Sequence, residues 1–329
     1  MTVSEATGRP ARNTIIPASF AWRDWLPAIV VVTLVVFFSL TSDAFMSLRN
    51  FTAIAGQAST LLVACLGATF VVLMGSIDLS VGAIALLAAA VSVLALNQFS
   101  IGAAAVLVGV GLGGGLGLVN GLVFAFGRIP SFVVTLGSMS VFSGIALRLL
   151  DGRAISFDSP SFEALAIGQL IPRLPNLALI AIVAWAILAW VGLRTRFGRY
   201  IYSIGAGEPV ARIAGIAVRR YKIYAFVVSG ALAGLAGALA AARLSAAGPT
   251  LGGDLLLNTL GAIVIGGTSL SGGVGGVHRT LIGVLIIALL DNGLNLLAVD
   301  QYSQLVIKGV VIIGAVVVSR RPHQAELTK

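Results

Sequence analysis

The sequence is poor in the residues that most enzymes use. Its one cysteine, Cys65, lies inside an apolar run and excludes an internal disulfide framework or a multi-cysteine metal site. It reads as a small buried hydrophobe. Two histidines, His278 and His323, stand too far apart in sequence to suggest a metal site. Charged residues make up only 10% of the 329, against 58% hydrophobic, and the mean hydropathy is +1.04. A chain facing water on all sides does not tolerate that balance. The lysines, Lys222, Lys308 and Lys329, have no GxxxxGK[ST] context, so no phosphate loop is present.

Long apolar runs take the place of those groups. Every backbone donor and acceptor in a bilayer must be satisfied within its own structure, which leaves helices of about 20 residues or closed barrels. Leu26 to Leu40 and Leu281 to Leu290 are apolar on all sides, not alternating as barrel strands would be. The expected fold is all-α and polytopic, with about ten spans near 26–42, 51–74, 80–96, 101–126, 131–150, 177–193, 223–246, 255–268, 280–298 and 303–319. The spans 51–74 and 255–268 contain polar or glycine-rich breaks and are the two most open to being broken or re-entrant. The first run begins too far into the chain, and lacks the small-residue cleavage site, for a removable signal peptide.

The formal charge of +9 comes from 21 basic against 12 acidic residues. In so apolar a chain it sets membrane orientation before it suggests nucleic acid. With ten crossings and the N-terminus inside, most of the basic residues fall on the inner side, while Arg49, Arg148, Arg153, Arg173, Arg243 and Lys308 fall outside or near outer span ends. The expected organisation is a cytoplasmic segment 1–25, a transmembrane domain 26–319 and a cytoplasmic tail 320–329. An outer loop at 151–176 and an inner loop at 194–222 complete it. No stretch between spans has the length of a nucleotide-binding domain, so any ATP is hydrolysed by another chain.

Several short patterns carry or mimic chemistry. Gly75 to Gly82 reads GSIDLSVG and puts Asp78 and Ser80 at a junction between apolar runs, where a carboxylate caps the following helix or lines a solute path. The GxGxxG at Gly109, Gly111 and Gly114 has no preceding strand and is no dinucleotide site. Glycines 109, 113, 117 and 121 instead line one helix face for close packing. LSGG at Leu270 to Gly273 mimics an ATPase signature without a phosphate loop, and GxSxG fails around Ser269 because Ser271 stands where glycine is needed. In the inner loop, Glu208 and Pro209 suit a helix start and Gly215 its end, which yields either a short docking helix containing Ala211 and Arg212 or a basic anchor. Asn120, Ser138, Ser140, Thr259, Asn292 and Asn295 supply hydrogen-bonding groups that either serve a neutral polyol or tie helices together.

Five blocks in order resemble the permease subunits of ribose-type bacterial importers. They are GSIDLSVG, the segment Asn120 to Ser140 (NGLVFAFGRIPSFVVTLGSMS), the loop Thr195 to Ile216, GGTSLSGGVGG from Gly266, and LLDNGLNLL from Leu289 to Leu297. The resemblance covers nearly the whole chain. It implies the permease fold of an ATP-binding cassette importer in the bacterial inner membrane, carrying a monosaccharide or related polyol. It also implies a separate ATPase subunit, a periplasmic sugar-binding protein, a second permease chain as homo- or heterodimer, contact with membrane lipid and no cofactor of its own. Glu208, Ala211, Arg212 and Gly215 match the family's coupling loop. Pro209, Asp291 and Gly252 to Asn258 depart from its usual pattern. An ion-coupled secondary transporter remains the alternative, with Asp78 and Asp291 as its only candidate acids, and an intramembrane enzyme would need a nucleophile and base that neither histidine supplies.

Overall fold

The computed structural model describes residues 25–319. Apart from Trp25, the terminal segments expected to be cytoplasmic lie outside the described residues. The chain runs as α1 (Leu26–Thr41), α2 (Leu48–Leu73), α3 (Val81–Phe99) and α4 (Ala105–Gly127), the last entered through a 3-10 turn at Gly102–Ala104. Then come α5 (Ser131–Leu150), β1 (Ile155–Ser156), α6 (Pro160–Ile167), α7 (Asn176–Arg194), α8 (Arg196–Ala206) and α9 (Glu208–Ile213). The rest is α10 (Val218–Leu244), β2 (Ala246–Ala247), α11 (Leu255–Ile265), α12 (Val277–Leu296) and α13 (Gln301–Ser319).

Among the described residues, seven helices are long and apolar enough to cross a membrane: α2, α3, the continuous segment Gly102–Gly127, α5, α7, α10 and α12. The remaining three expected spans coincide with α1, α11 and α13, which are shorter apolar helices over their described length. The protein is therefore a multi-pass membrane protein, with seven clear spans among the described residues where about ten are expected.

Helix α2 is the hub. Its most apolar window is 94% buried, against 22% for the corresponding windows of Gly102–Gly127, α5 and α7. It packs on α7, α10, α11 and α12. The expectation that its polar residues break it fails, because Gly56, Gln57 and Ser59 sit within one unbroken 26-residue helix. Ser59 closes its hydroxyl onto the Ala55 carbonyl four residues back, and so leaves the ladder intact.

The glycine stripe of α4 meets a second one on α10. A Cβ at Gly113 would collide with the Gly230 carbonyl oxygen, one at Gly117 with that of Phe226, and one at Gly234 with that of Gly109. Hydrogens in place of methyls let the two backbones touch, as the four-residue spacing predicts.

The short α11 has a local cause. After β2, Gly252 at φ +97° brings its backbone against Gly82 at the start of α3, where either residue with a side chain would clash with the other's carbonyl. Segment 248–254 thus turns back into the bundle before α11 begins. Eleven residues rise only about 16 Å, roughly half the hydrocarbon thickness.

Two poles result. At one, β1 pairs antiparallel with β2, Asn97 donates to the Ser156 carbonyl (3.0 Å) and Ser245 to Glu163 (2.6 Å). At the other lie α8, α9 and the turn after α11. There the ends of α4 and α10 meet, with Arg219 over the Phe126 ring and Lys222 over Phe124. Arg128, Arg194, Arg196, Arg199, Arg212, Arg219, Arg220, Lys222 and Arg279 gather at this second pole. Lys308, expected outside or near an outer span end, lies buried in the first half of α13.

Candidate solute cavity and docking face

The junction between α2 and α3 is a sealed polar joint. Asp78 Oδ1 accepts from the Ser80 amide (3.0 Å) and hydroxyl (2.6 Å), and Oδ2 accepts from Ser229 of α10 (2.8 Å). Asn120 of α4 donates to Ser80 (2.8 Å) and accepts from Ser138 of α5. The free amides of Ile77 and Leu79 donate to Ser131 and Thr135, each at 3.0 Å. Asp78, Ser80 and Asn120 are all buried. Irregular backbone at membrane depth is tolerated where protein groups satisfy it in this way. Asp78→Asn is expected to retain most transport, because an amide oxygen still accepts from Ser80 and the Ser229 hydroxyl can turn to accept. Asp78→Leu would strand those donors at about 1–3 kcal/mol each. Uptake measured at matched membrane levels separates the two, and equal complete loss would show that the charge itself is required.

Asn292 also serves packing. It exchanges two hydrogen bonds with Asn50, at 2.8 and 3.0 Å, and so ties α12 to α2. Ser140 reaches only the Leu136 carbonyl on its own helix, and Thr259 is buried with its hydroxyl unpaired.

Two of the sequence-derived path residues line cavities: Ser138 lines an otherwise apolar one between α4 and α5, and Asn295 a polar one. About 490 Å³ in volume, the polar cavity opens between α2, α10, α11, α12 and α13 on the side of the β1–β2 pole. Its polar wall is Gln57, Arg243, Asn258, Asp291, Asn295, Gln304 and Lys308, with Asp254 also lining it. Lys308 Nζ holds Asp291 Oδ1 at 2.7 Å. Gln57 and Asn258 reach Oδ2 at 3.4 and 3.3 Å, and Gln304 donates to Asn295 at 2.9 Å. The sequence marks Gln57 only as a polar interruption of a span and Asn258 only as the end of a segment departing from the family pattern, and Gln304 not at all, so none of them is legible as a cavity residue. Lys308 carried a usable signal, a lone cation inside the apolar run VIKGVVII.

At the basic pole, α8 buries Ile201 and Ile204 and turns Arg196, Arg199 and Ser203 outward. Glu208 opens α9 and holds Lys222 of α10 at 2.8 Å and Arg212 at 2.9 Å. Burial pushes the Glu208 carboxyl up, but Lys222 and then Arg212 outweigh it and hold it below its ordinary range. The tether is therefore present at neutral pH and is lost only as acidification passes that lowered value. Ala211 is buried, while Val210 and Ile213 are 71% and 88% exposed. Gly215, at φ +81°, ends the turn as Ile216 N closes onto the Ala211 carbonyl (3.1 Å).

Behind α9, α8 locks onto the glycine turn that follows α11. Tyr202 donates to the Gly275 carbonyl (2.6 Å) and Gly273 N to the Leu73 carbonyl at the end of α2 (2.8 Å). The LSGG string thus forms a tight turn, with Gly272 and Gly273 at positive φ, packed under α2 and α8.

The bundle thus has a polar cavity at one pole and, at the other, a basic face on which α9 leaves Val210 and Ile213 exposed. Residues 50–316 match the family described as branched-chain amino acid transport system / permease component, and the chain belongs to it. It is 40% identical over 298 residues to the ribose import permease protein RbsC of Bacillus subtilis (strain 168), covering 90% of this chain and 92% of that one. RbsC of Escherichia coli (strain K12) is 37% identical over 318 residues, with 94% and 98% covered. The D-allose transport system permease protein AlsC of the same strain is 37% identical over 297 residues, with 89% and 90% covered. No solved structure matches the chain.

Proposed function

We propose that the chain is the membrane-spanning subunit of an ATP-binding cassette importer that carries a monosaccharide or related polyol, with ATP hydrolysed by a separate subunit. The observation that carries the reading is the cavity wall. It offers amide, carboxylate and ammonium groups, and its two acids, Asp254 and Asp291, balance its two bases, Arg243 and Lys308. A neutral polyhydroxyl solute meets hydrogen-bonding groups there without leaving a net charge uncompensated. The similarity to ribose and allose permeases points the same way.

The excess of arginine at the α8–α9 pole favours that pole as the cytoplasmic one, in a bacterial inner membrane with both termini inside. The cavity then faces outward, where a periplasmic sugar-binding protein delivers solute. The exposed Val210 and Ile213, beside a tethered Glu208, favour α9 as the helix that docks in the ATPase subunit, with Ala211, Arg212 and Gly215 shaping it. A second permease chain, identical or sibling, completes the membrane part. An ion-coupled mechanism finds less support, because Asp78 is enclosed by satisfied donors and Asp291 is paired with Lys308.

Reconstitution tests the assignment. The purified chain alone is expected to hydrolyse no ATP. With its cognate ATPase subunit, hydrolysis should rise on adding loaded binding protein, and labelled sugar should accumulate in vesicles. Accumulation driven by an ion gradient without ATP would overturn the reading.

A further inference from the structure

Charges inside a membrane bundle lose hydration that a partner repays only with good geometry, and well-packed apolar residues would join two helices as firmly. Fastening α12 to α13 is therefore a weak explanation for the nearly enclosed Lys308–Asp291 pair. Its surroundings point elsewhere. Both amide donors to Asp291, Gln57 and Asn258, crowd onto Oδ2 at the long end of hydrogen bonding, 3.4 and 3.3 Å. Oδ1 is held by Lys308 at 2.7 Å, and Asn258 Oδ1 and Arg243 Nε, from residues lining the same cavity, are buried without partners among the described residues. An ammonium has three donors, and Lys308 spends one direction on Asp291. Loosely held acceptors and spare donors thus stand side by side in a wall otherwise closed by apolar helices.

We propose that the Lys308–Asp291 pair is the specificity-determining element of the cavity. A vicinal diol of the solute donates to the Asp291 carboxylate and accepts from the Lys308 ammonium, taking the places that Gln57 and Asn258 hold on Oδ2. The inference rests on the cavity being the solute path. A hydroxyl both donates and accepts, so two neighbouring hydroxyls match a carboxylate beside an ammonium, whereas a solute with donors alone or acceptors alone satisfies only half the pair. Hydrogen bonds to charged groups are about twice as strong as neutral ones, so a hydroxyl missing here costs more than one missing against Gln304 or Asn295. The pair carries no net charge, and a neutral solute entering it leaves none exposed.

The test uses the complete importer in vesicles, with binding protein at saturation, supplied with a panel of pentoses, hexoses and polyols and with monodeoxy analogues of those it carries. Uptake by each variant is divided by wild-type uptake of the same solute, which cancels the binding protein's own selectivity. Asp291→Asn is expected to lower uptake of the parent sugar on the order of tenfold or more. Uptake of the analogue lacking the engaged hydroxyl should hardly change, so that discrimination between the two collapses. The exchange Asp291→Lys with Lys308→Asp keeps an ion pair, and is expected to carry solute while changing which analogue is handled worst. Equal loss for every solute in Asp291→Asn, or unchanged uptake, would overturn the proposal. So would an exchanged pair that discriminates as wild type does, and that comparison decides alone should Asp291→Asn fail to reach the membrane. A wild-type importer that carries no member of the panel would instead overturn the reading of the cavity as a sugar path.

Discussion

Replacing Ala211 with proline is expected to abolish solute-stimulated ATP hydrolysis and uptake while the chain still inserts in the membrane. Helix α9 has only six residues, and the Ala211 amide makes one of its first backbone bonds, to the Gly207 carbonyl at 3.0 Å. Proline deletes that bond and drives its ring toward the same carbonyl, at a cost of about 3 kcal/mol that so short a helix cannot absorb. The membrane helices do not depend on α9, so insertion survives. What fails is transmission. If α9 docks as proposed, force on Val210 and Ile213 would reach α8, then through Tyr202–Gly275 and Gly273–Leu73 the glycine turn and the end of α2. Helix α2 carries Gln57 to the cavity, and α12, which follows the glycine turn, carries Asp291. A rigid element biased at one end and lining the cavity at the other is what coupling requires. Cysteines placed singly at Val210 or Ile213, whose side chains point out, should cross-link to the ATPase subunit. Normal uptake by Ala211→Pro, with no cross-link from any position between 207 and 216, would reduce α9 to an anchor.

The sequence makes visible what is periodic or local. Runs such as 223–246 announce themselves because a span must be predominantly apolar over about 20 residues, and α9 because an acid, a proline and a later glycine mark its two ends. The stripe at 109, 113, 117 and 121 is legible because helical spacing puts those residues on one face before any partner is known. Asp78 was legible as a junction acid beside Ser80, but its remote partner Ser229 comes from α10, and the residues of α4 and α5 that close the rest of the joint are assigned by no local pattern. The cavity is harder still. Gln57 and Asp291 are separated by 234 residues, and five helices must pack to form the wall that their side chains share. Lys308 reads in the sequence as a cation near a span end, which is ordinarily assigned to the interface. Only the pairing with Asp291 explains why it stays inside. The half-length of α11 follows from Gly252 meeting Gly82, a contact between distant backbones that composition does not reveal.

Adding a single methyl group to the α4–α10 seam is expected to be among the most damaging small changes in the chain. At Gly113 the new carbon would strike the Gly230 carbonyl and lie 2.9 Å from the Gly234 Cα, and at Gly117 it would strike the Phe226 carbonyl. Those obstacles are backbone atoms of a buried helix, so relief requires α4 and α10 to separate along their length. Separation would loosen α10 from α2 and α3, with which it also packs, and disturb the Ser229–Asp78 and Asn120–Ser80 bonds that close the joint. Gly113→Ala and Gly117→Ala should each destabilise the protein by several kcal/mol, in the range of overpacked core positions and lost buried hydrogen bonds. Gly111 and Gly115 lie on the same helix with nothing within 4 Å of an added Cβ. There alanine should be neutral or stabilising by up to about 1 kcal/mol, because it has the higher helix propensity. Thermal unfolding midpoints of the four variants in one detergent provide the comparison. Four equal shifts would mean that the glycines matter for backbone flexibility, and a fall at 113 and 117 alone establishes that two helices touch there.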